Sequence, residues 1–221
     1  MDWQTWHDDY DRPGSVLSRR LQAVQTQIRA VLDSSPPGSL RVVSLCAGQG
    51  RDLLEVLAEH PRRDDVQARL VELDPRIATL AAANARAAGL NQVEVVTADA
   101  SLTDCYRDMV PADLVLACGI FGNILDEDIK RTISVFTQLC RTGGTVIWTR
   151  HRHAPDRVPR ICEWYAAQGF DLQWLSEPEA GFGVGVHRYA DEPSPLVPGL
   201  RMFTFADRDA LRKAAAQEPD A

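Results

Sequence analysis

Val42-Val43-Ser44-Leu45-Cys46-Ala47-Gly48-Gln49-Gly50-Arg51-Asp52 decides the fold, because an apolar strand here feeds a glycine turn that opens into an amphipathic helix. Such a turn lets bare backbone N–H groups approach a ligand at a helix N-terminus. About 20 residues further on, a second apolar run, Ala68-Arg69-Leu70-Val71-Glu72-Leu73-Asp74-Pro75, ends in acid. That spacing suits a carboxylate that grips the hydroxyls of a ribose.

Outward from this pair the pattern is regular: strand 41–47, helix 52–60, strand 68–74, helix 76–88, strand 93–98, a short polar helix near 101–108, strand 112–118, helix 126–140, strand 144–149 and helix 158–168. Alternation of this kind predicts right-handed crossovers and a parallel sheet covered on both faces. Leu114-Val115-Leu116-Ala117 and Val146-Ile147-Trp148 read as continuous apolar runs, as central strands should. After Gly169, the runs Asp171–Ser176 and Gly183–Tyr189 have no helix between them and predict an antiparallel hairpin. The Pro-rich stretch 191–200 reads as a loop, and Arg201–Phe205 as an edge strand or a cover for the sheet.

Ahead of the sheet, Met1–Gly14 carries Trp3, Trp6, His7 and Tyr10 among acids and reads as a flap that packs on the body. Leu17, Leu21, Val24, Ile28 and Val31 then recur at helical spacing until Ser34-Ser35-Pro36-Pro37-Gly38 ends the helix. The expected organisation is a flap and helical extension over 1–38, a single α/β domain over 39–206, and a charged tail over 207–221.

At 221 residues and 45% hydrophobic, the chain can bury one substantial core. A net charge of −7 with scattered Lys and Arg argues against a protein that tracks a phosphate backbone. Five cysteines without a CxxC pair favour buried thiols in a reducing compartment over disulfides or zinc. No membrane-length apolar run is present, so a cytoplasmic protein acting on neither nucleic acid nor membrane is expected. The sequence carries no signature of oligomeric state, a homodimer included.

Gly48-Gln49-Gly50 alone would also open a dinucleotide site, but the third small residue of that pattern would fall at Leu53, which disfavours NAD. The order of motifs instead resembles the class I S-adenosylmethionine-dependent methyltransferases over residues 40–190. The resemblance rests on Leu45–Gly50, Val71–Pro75, Thr97-Ala98-Asp99-Ala100, Asp113–Gly119 and Gly143–Ile147, with the terminal hairpin matching the family's inserted antiparallel strand. It implies a doubly wound, mostly parallel seven-stranded sheet with an antiparallel C-terminal hairpin strand, the Rossmann-like methyltransferase fold. It also implies S-adenosylmethionine as cofactor, met by the loop Cys46, Ala47, Gly48 and Gly50, by Glu72 and Leu73 at the ribose, by Asp99 and Ala100 at the adenine, and by Cys118 and Gly119 near the methyl group. Where the family often has Asp this chain has Ser44, and Cys46 replaces the first of three glycines. The methionine amino group is then left to carbonyls near Cys46 or Cys118, or to an acid such as Asp52.

Each assignment has a plainer alternative. Asp74, like Glu72, could cap the helix opened by Pro75, and Asp99 could cap the turn that follows it. Phe121 and Asn123, in the loop after the fourth strand, are candidates for the acceptor site or for a core ring and a tight turn. His151, in Arg150-His151-Arg152-His153 after the fifth strand, is the candidate general base, because an imidazole near its normal pKa is poised for proton transfer. A metal held by His151 and His153 lacks a third ligand nearby. Tyr10 and His7 are flap candidates for the acceptor, Arg20 for the methionine carboxylate, and His187 reads as structural. The expected function is methyl transfer from S-adenosylmethionine to a small-molecule acceptor, at oxygen or else nitrogen. The alternatives are a catalytically silent ligand-binding protein of the same fold and an NAD-dependent oxidoreductase.

Overall fold

The computed structural model describes residue 12 and residues 14–216, so Tyr10 and His7, with Trp3 and Trp6 of the same flap, lie outside the described residues. In chain order its elements are α1 (Val16–Ser34), β1 (Leu40–Leu45), α2 (Arg51–Glu59), β2 (Val66–Glu72), α3 (Pro75–Ala87), β3 (Val93–Thr97), β4 (Ala112–Ala117), α4 (Asp126–Leu139), β5 (Cys140–His151), α5 (Val158–Ala166), β6 (Phe170–Leu175), β7 (Phe182–Tyr189) and α6 (Arg208–Ala216). The strands form one seven-stranded sheet in the order β3-β2-β1-β4-β5-β7-β6. β1 runs parallel to β2 (Leu40↔Val66 to Leu45↔Val71) and to β4 (Ser44↔Leu116), while β7 runs antiparallel to both β5 (Thr145↔Arg188) and β6 (Phe170↔Tyr189).

The sheet order reverses between β1 and β4. In open α/β sheets the ligand crevice lies outside the C-terminal ends of the strands at such a switch point. Both faces of the sheet are covered. On one, Ile129, Ile133 and Phe136 of α4 and Ile161 and Tyr165 of α5 pack on Val43, Val115 and Val146. On the other, Val24, Ile28 and Leu32 of α1 share a core with Leu53 and Leu57 of α2, Leu114 of β4 and Val184 of β7. Ser15 starts α1 by accepting the Ser18 N–H at 3.0 Å. Arg62 fastens its end, donating to the carbonyls of Leu32, Ser35, Pro36 and Gly38 at 2.7–3.0 Å. Among the described residues, no helix is long and apolar enough to cross a membrane.

Two local expectations are corrected and a third is narrowed to one of its alternatives. The fifth strand begins at Cys140, directly from α4, and not near 144. A register shift opposite Ala112 and Leu114 lets the irregular stretch through Gly143 (φ +76°) stay in the sheet, and Gly144 leaves room for the Ala112 carbonyl, which a Cβ would meet at 2.8 Å. The polar helix expected near 101–108 shrinks to one 3₁₀ turn, Thr103–Tyr106. Arg201–Phe205 adds no strand. It makes a single bridge, Leu102↔Arg201, and buries Met202 and Phe203 beside the ends of the parallel strands.

Candidate functional site

A cavity of about 760 Å³ opens at the C-terminal edge of the sheet, within the usual range for small-molecule sites. Its walls come from the turn after β1, the ends of β2 and β3, the loop after β4, the N-terminal part of α1 and the segment 201–205. The sequence-predicted residues Cys46, Ala47, Gly48, Asp52, Glu72, Leu73, Asp99, Ala100, Cys118 and Gly119 all line it.

The glycine turn is built as its sequence requires. Gly48 (φ +56°) and Gly50 (φ +71°) take left-handed backbone angles, and so does Cys46 (φ +50°), which for a residue with a side chain is uncommon. Gly50 does not line the cavity, contrary to its expected ligand role. A Cβ there would stand 2.7 Å from Leu70 Cδ2 and 2.8 Å from Leu54 Cδ1, so this glycine serves close packing of α2 on the sheet.

Glu72 closes the turn from β2. Its carboxylate accepts the N–H of Gly48 on one oxygen and that of Asp74 on the other, both at 2.9 Å. Each oxygen keeps lone-pair capacity for a hydroxyl ligand. Asp74 caps α3 through the Arg76 N–H at 2.8 Å, and hydrogen bonds from the Arg76 side chain and backbone hold its carboxyl down at about 2. Leu73 between them is 65% exposed, an apolar surface left at the cavity wall.

Asp52, in the first turn of α2, brings a carboxyl to the cavity next to the β1 turn. Desolvation raises its carboxyl to about 6, against the hydrogen bonds from the Leu53 N–H and the Cys118 thiol that favour the ionised form. Ser44 itself is buried within β1 and does not reach the cavity. Burial, with Asp52 adding to it, pushes the Cys118 thiol well above its ordinary value, so it is no nucleophile. Gly119 donates its N–H to Thr149 Oγ1 at 2.8 Å, which fixes the loop after β4 against β5.

At the far end, Asp99 Oδ1 accepts from the N–H and hydroxyl of Ser101 at 3.0 and 2.7 Å, and Oδ2 accepts from Arg201 Nη1 at 2.8 Å. Desolvation acts to raise this carboxyl, but the bonds from Ser101 and Arg201 outweigh it and leave it below the ordinary value.

The acceptor-side candidates fall elsewhere. Phe121 is fully buried, its ring 5.8 Å from that of Trp148 and 6.4 Å from that of Tyr165, so it is a core residue and not a cavity wall. Asn123 donates to the Gly119 carbonyl at 2.8 Å and accepts the Ala206 N–H, which makes it a loop brace outside the cavity lining. His151 does not line the cavity either. Its ring stacks on His153 at 4.7 Å, as strand alternation predicts, and its Nδ1 accepts the His153 N–H at 3.3 Å. Desolvation and the neighbouring Arg150 lower the imidazole to about 4, a weak base. His187 is buried in β7, stacked on Tyr165 at 4.3 Å and accepting from Trp148 Nε1, a structural position.

Sequence reasoning passed over Arg201, Phe203, Thr204 and Phe205, which bound the cavity from the C-terminal side. Their only signal was the alternation of Arg201, Phe203 and Phe205 after a proline-rich loop.

The sheet order, the reversed β7 and the placement of the cavity define the fold of the class I S-adenosylmethionine-dependent methyltransferases. No protein-family model and no curated protein sequence matches the chain. Among solved structures it is similar to the CurJ carbon methyltransferase, with TM-score 0.65 and 15% identity, covering 86% of this chain and 59% of that one. It is also similar to the magnesium protoporphyrin IX methyltransferase from Synechocystis PCC 6803 with bound S-adenosylmethionine (TM-score 0.65, 13% identity, 85% and 91% of the two chains). A third is the 1,6-didemethyltoxoflavin N1-methyltransferase from Burkholderia thailandensis, solved with S-adenosylhomocysteine (TM-score 0.57, 18% identity, 77% and 78%). The chain thus spans 59% of the first of these proteins and most of the second.

Proposed function

We propose that this chain is an enzyme that binds S-adenosylmethionine in the cavity and transfers its methyl group to a small-molecule acceptor, at oxygen or else nitrogen. The observation that carries the reading is the placement of Glu72 and Asp99, at the ends of the paired strands β2 and β3, on one cavity with the amides of the β1 turn. That donor set matches the chemistry of a nucleoside joined to an amino acid. Glu72 takes the ribose hydroxyls, Asp99 the adenine amino group, the Ala100 N–H a ring nitrogen, and Leu73 offers an apolar face to the base. Asp52 takes the methionine ammonium, with Arg20 at the same cavity for its carboxylate.

When bound, the cofactor supplies a methyl group on a cationic sulfur. The chain's part is to hold donor and acceptor in line and to exclude water, and among the described residues no imidazole lines the cavity. Free, mostly buried or half-buried cysteines and the acidic charge fit a cytoplasmic protein with a small-molecule partner.

Parallel calorimetric titration with S-adenosylmethionine, S-adenosylhomocysteine and NAD tests the proposal. Micromolar binding of both adenosyl ligands and none of NAD is expected, followed by methyl transfer in a screen of metabolites with labelled donor. Binding of NAD alone overturns the cofactor, and adenosyl binding with no transfer to any acceptor turns the protein into a silent binding module.

A further inference from the structure

The C-terminal segment is held on the cavity by main-chain bonds placed on either side of Arg201. Thr103 donates its N–H to the Leu200 carbonyl at 3.0 Å, and Met202 donates to the Ser101 carbonyl at 2.8 Å. Thr204 N–H reaches Asp128 Oδ2 at 2.7 Å, and the Met202 carbonyl accepts from Arg131 Nε and Thr132 Oγ1 of α4 at 3.0 and 3.1 Å. Met202 and Phe203 are buried, so the backbone that carries Arg201 is fixed even though its side chain is half exposed.

That side chain donates from Nη1 to Asp99 Oδ2 at 2.8 Å and to Ser101 Oγ at 2.7 Å, while the Ser101 hydroxyl hydrogen goes to Asp99 Oδ1. With side chains 50% and 36% exposed, the Arg201–Asp99 pair adds little to folding. Its position is what matters, because Asp99, Ser101 and Arg201 all line the cavity. A carboxylate offers about four lone-pair sites, and Ser101 and Arg201 use three of those on Asp99, so one acceptor site is left for a ligand. Arg201 has N–H groups on Nε and Nη2 beyond the two on Nη1. An acceptor and a donor therefore stand side by side at the end of the cavity. The edge of adenine presents the complementary pair, the 6-amino donor next to the N7 acceptor.

We infer that Arg201 is a second base-reading residue: it donates a hydrogen bond to N7 of the adenine while the carboxylate it orients, Asp99, accepts from the exocyclic amino group. The inference rests on the donor site described under Proposed function. It assigns to a residue 102 positions downstream of Asp99 a direct share in choosing the purine.

The test compares binding of S-adenosylhomocysteine with its 7-deaza analogue, in which N7 becomes a C–H, to the full chain and to Arg201→Met and Arg201→Lys. For the unaltered chain the 7-deaza ligand should bind about tenfold more weakly, the loss of one hydrogen bond from a charged donor. Arg201→Met, which has no N–H to offer N7, should weaken S-adenosylhomocysteine by a similar factor and bind both ligands equally, while Arg201→Lys should keep part of the preference. A role confined to bracing the segment would weaken both ligands together and leave their ratio unchanged, and that result overturns the inference. So does equal binding of the two ligands to the unaltered chain. Failure of the unaltered chain to bind either ligand overturns the donor site itself, and the inference with it.

Discussion

The carboxylate of Glu72 accepts the amide hydrogen of Gly48 at 2.9 Å, so the acid that ends β2 fixes the turn that ends β1. Its second oxygen holds the Asp74 N–H at the same distance, and the residue acts as a staple between two strand ends before any ligand arrives.

Glu72→Ala is therefore expected to cost about 1.5–3 kcal/mol of S-adenosylhomocysteine binding, roughly tenfold to a hundredfold in Kd, measured by calorimetry. Glu72→Gln should resemble the alanine variant, because an amide accepts on one oxygen and presents a donor to the second N–H. Undiminished affinity in either variant removes Glu72 from the ribose site.

Asp52 holds its proton more tightly in the folded chain, at about 6, than the ordinary carboxyl value of 3.8. Its stability contribution is thus complete below about pH 4 and is lost as pH rises through 6, by at most about 3 kcal/mol. Asp52→Asn should raise the Tm of the ligand-free protein at pH 7.5 and change it little at pH 4, while weakening S-adenosylhomocysteine. An equal Tm difference at both pH values would contradict the burial of this charge.

His151→Ala should leave S-adenosylhomocysteine binding within about 0.5 kcal/mol of the unaltered protein, as expected for a side chain outside the cavity wall. The ring is spent on His153 and on the close approach of Gly122, where a Cβ would lie 3.1 Å from His151 Cδ2. A tenfold loss of affinity would bring the imidazole back to the cavity.

Gly50→Ala combines a left-handed φ of +71° with a Cβ 2.7 Å from Leu70 Cδ2. A destabilisation of about 2–3 kcal/mol is expected, or roughly 5–10 °C in Tm for a domain of this size. A thermal melt with an unchanged Tm would show that α2 can shift away from β2 at no cost.

The alternation of apolar strands and amphipathic helices made the parallel sheet legible, since periodicity reports which faces meet the core. The missing helix between β6 and β7 made the antiparallel pair legible as well. Phe121 was not, because apolar character alone does not separate a ring that walls a cavity from one that fills the core against Trp148. Gly50 was misread for a related reason: a turn glycine looks the same in sequence whether a ligand or Leu70 approaches it.

The sequence by itself determined the sheet, the glycine turn after β1 and the acids Glu72 and Asp99 at two strand ends, because each follows from local patterning and from the rule that crevices form at strand termini. Only the tertiary structure decided that the segment after Val197 returns to the cavity and sets Arg201 2.8 Å from Asp99. It is held there by main-chain hydrogen bonds to Ser101 and Thr103 and by the burial of Met202 and Phe203, long-range terms whose partners local patterning does not name.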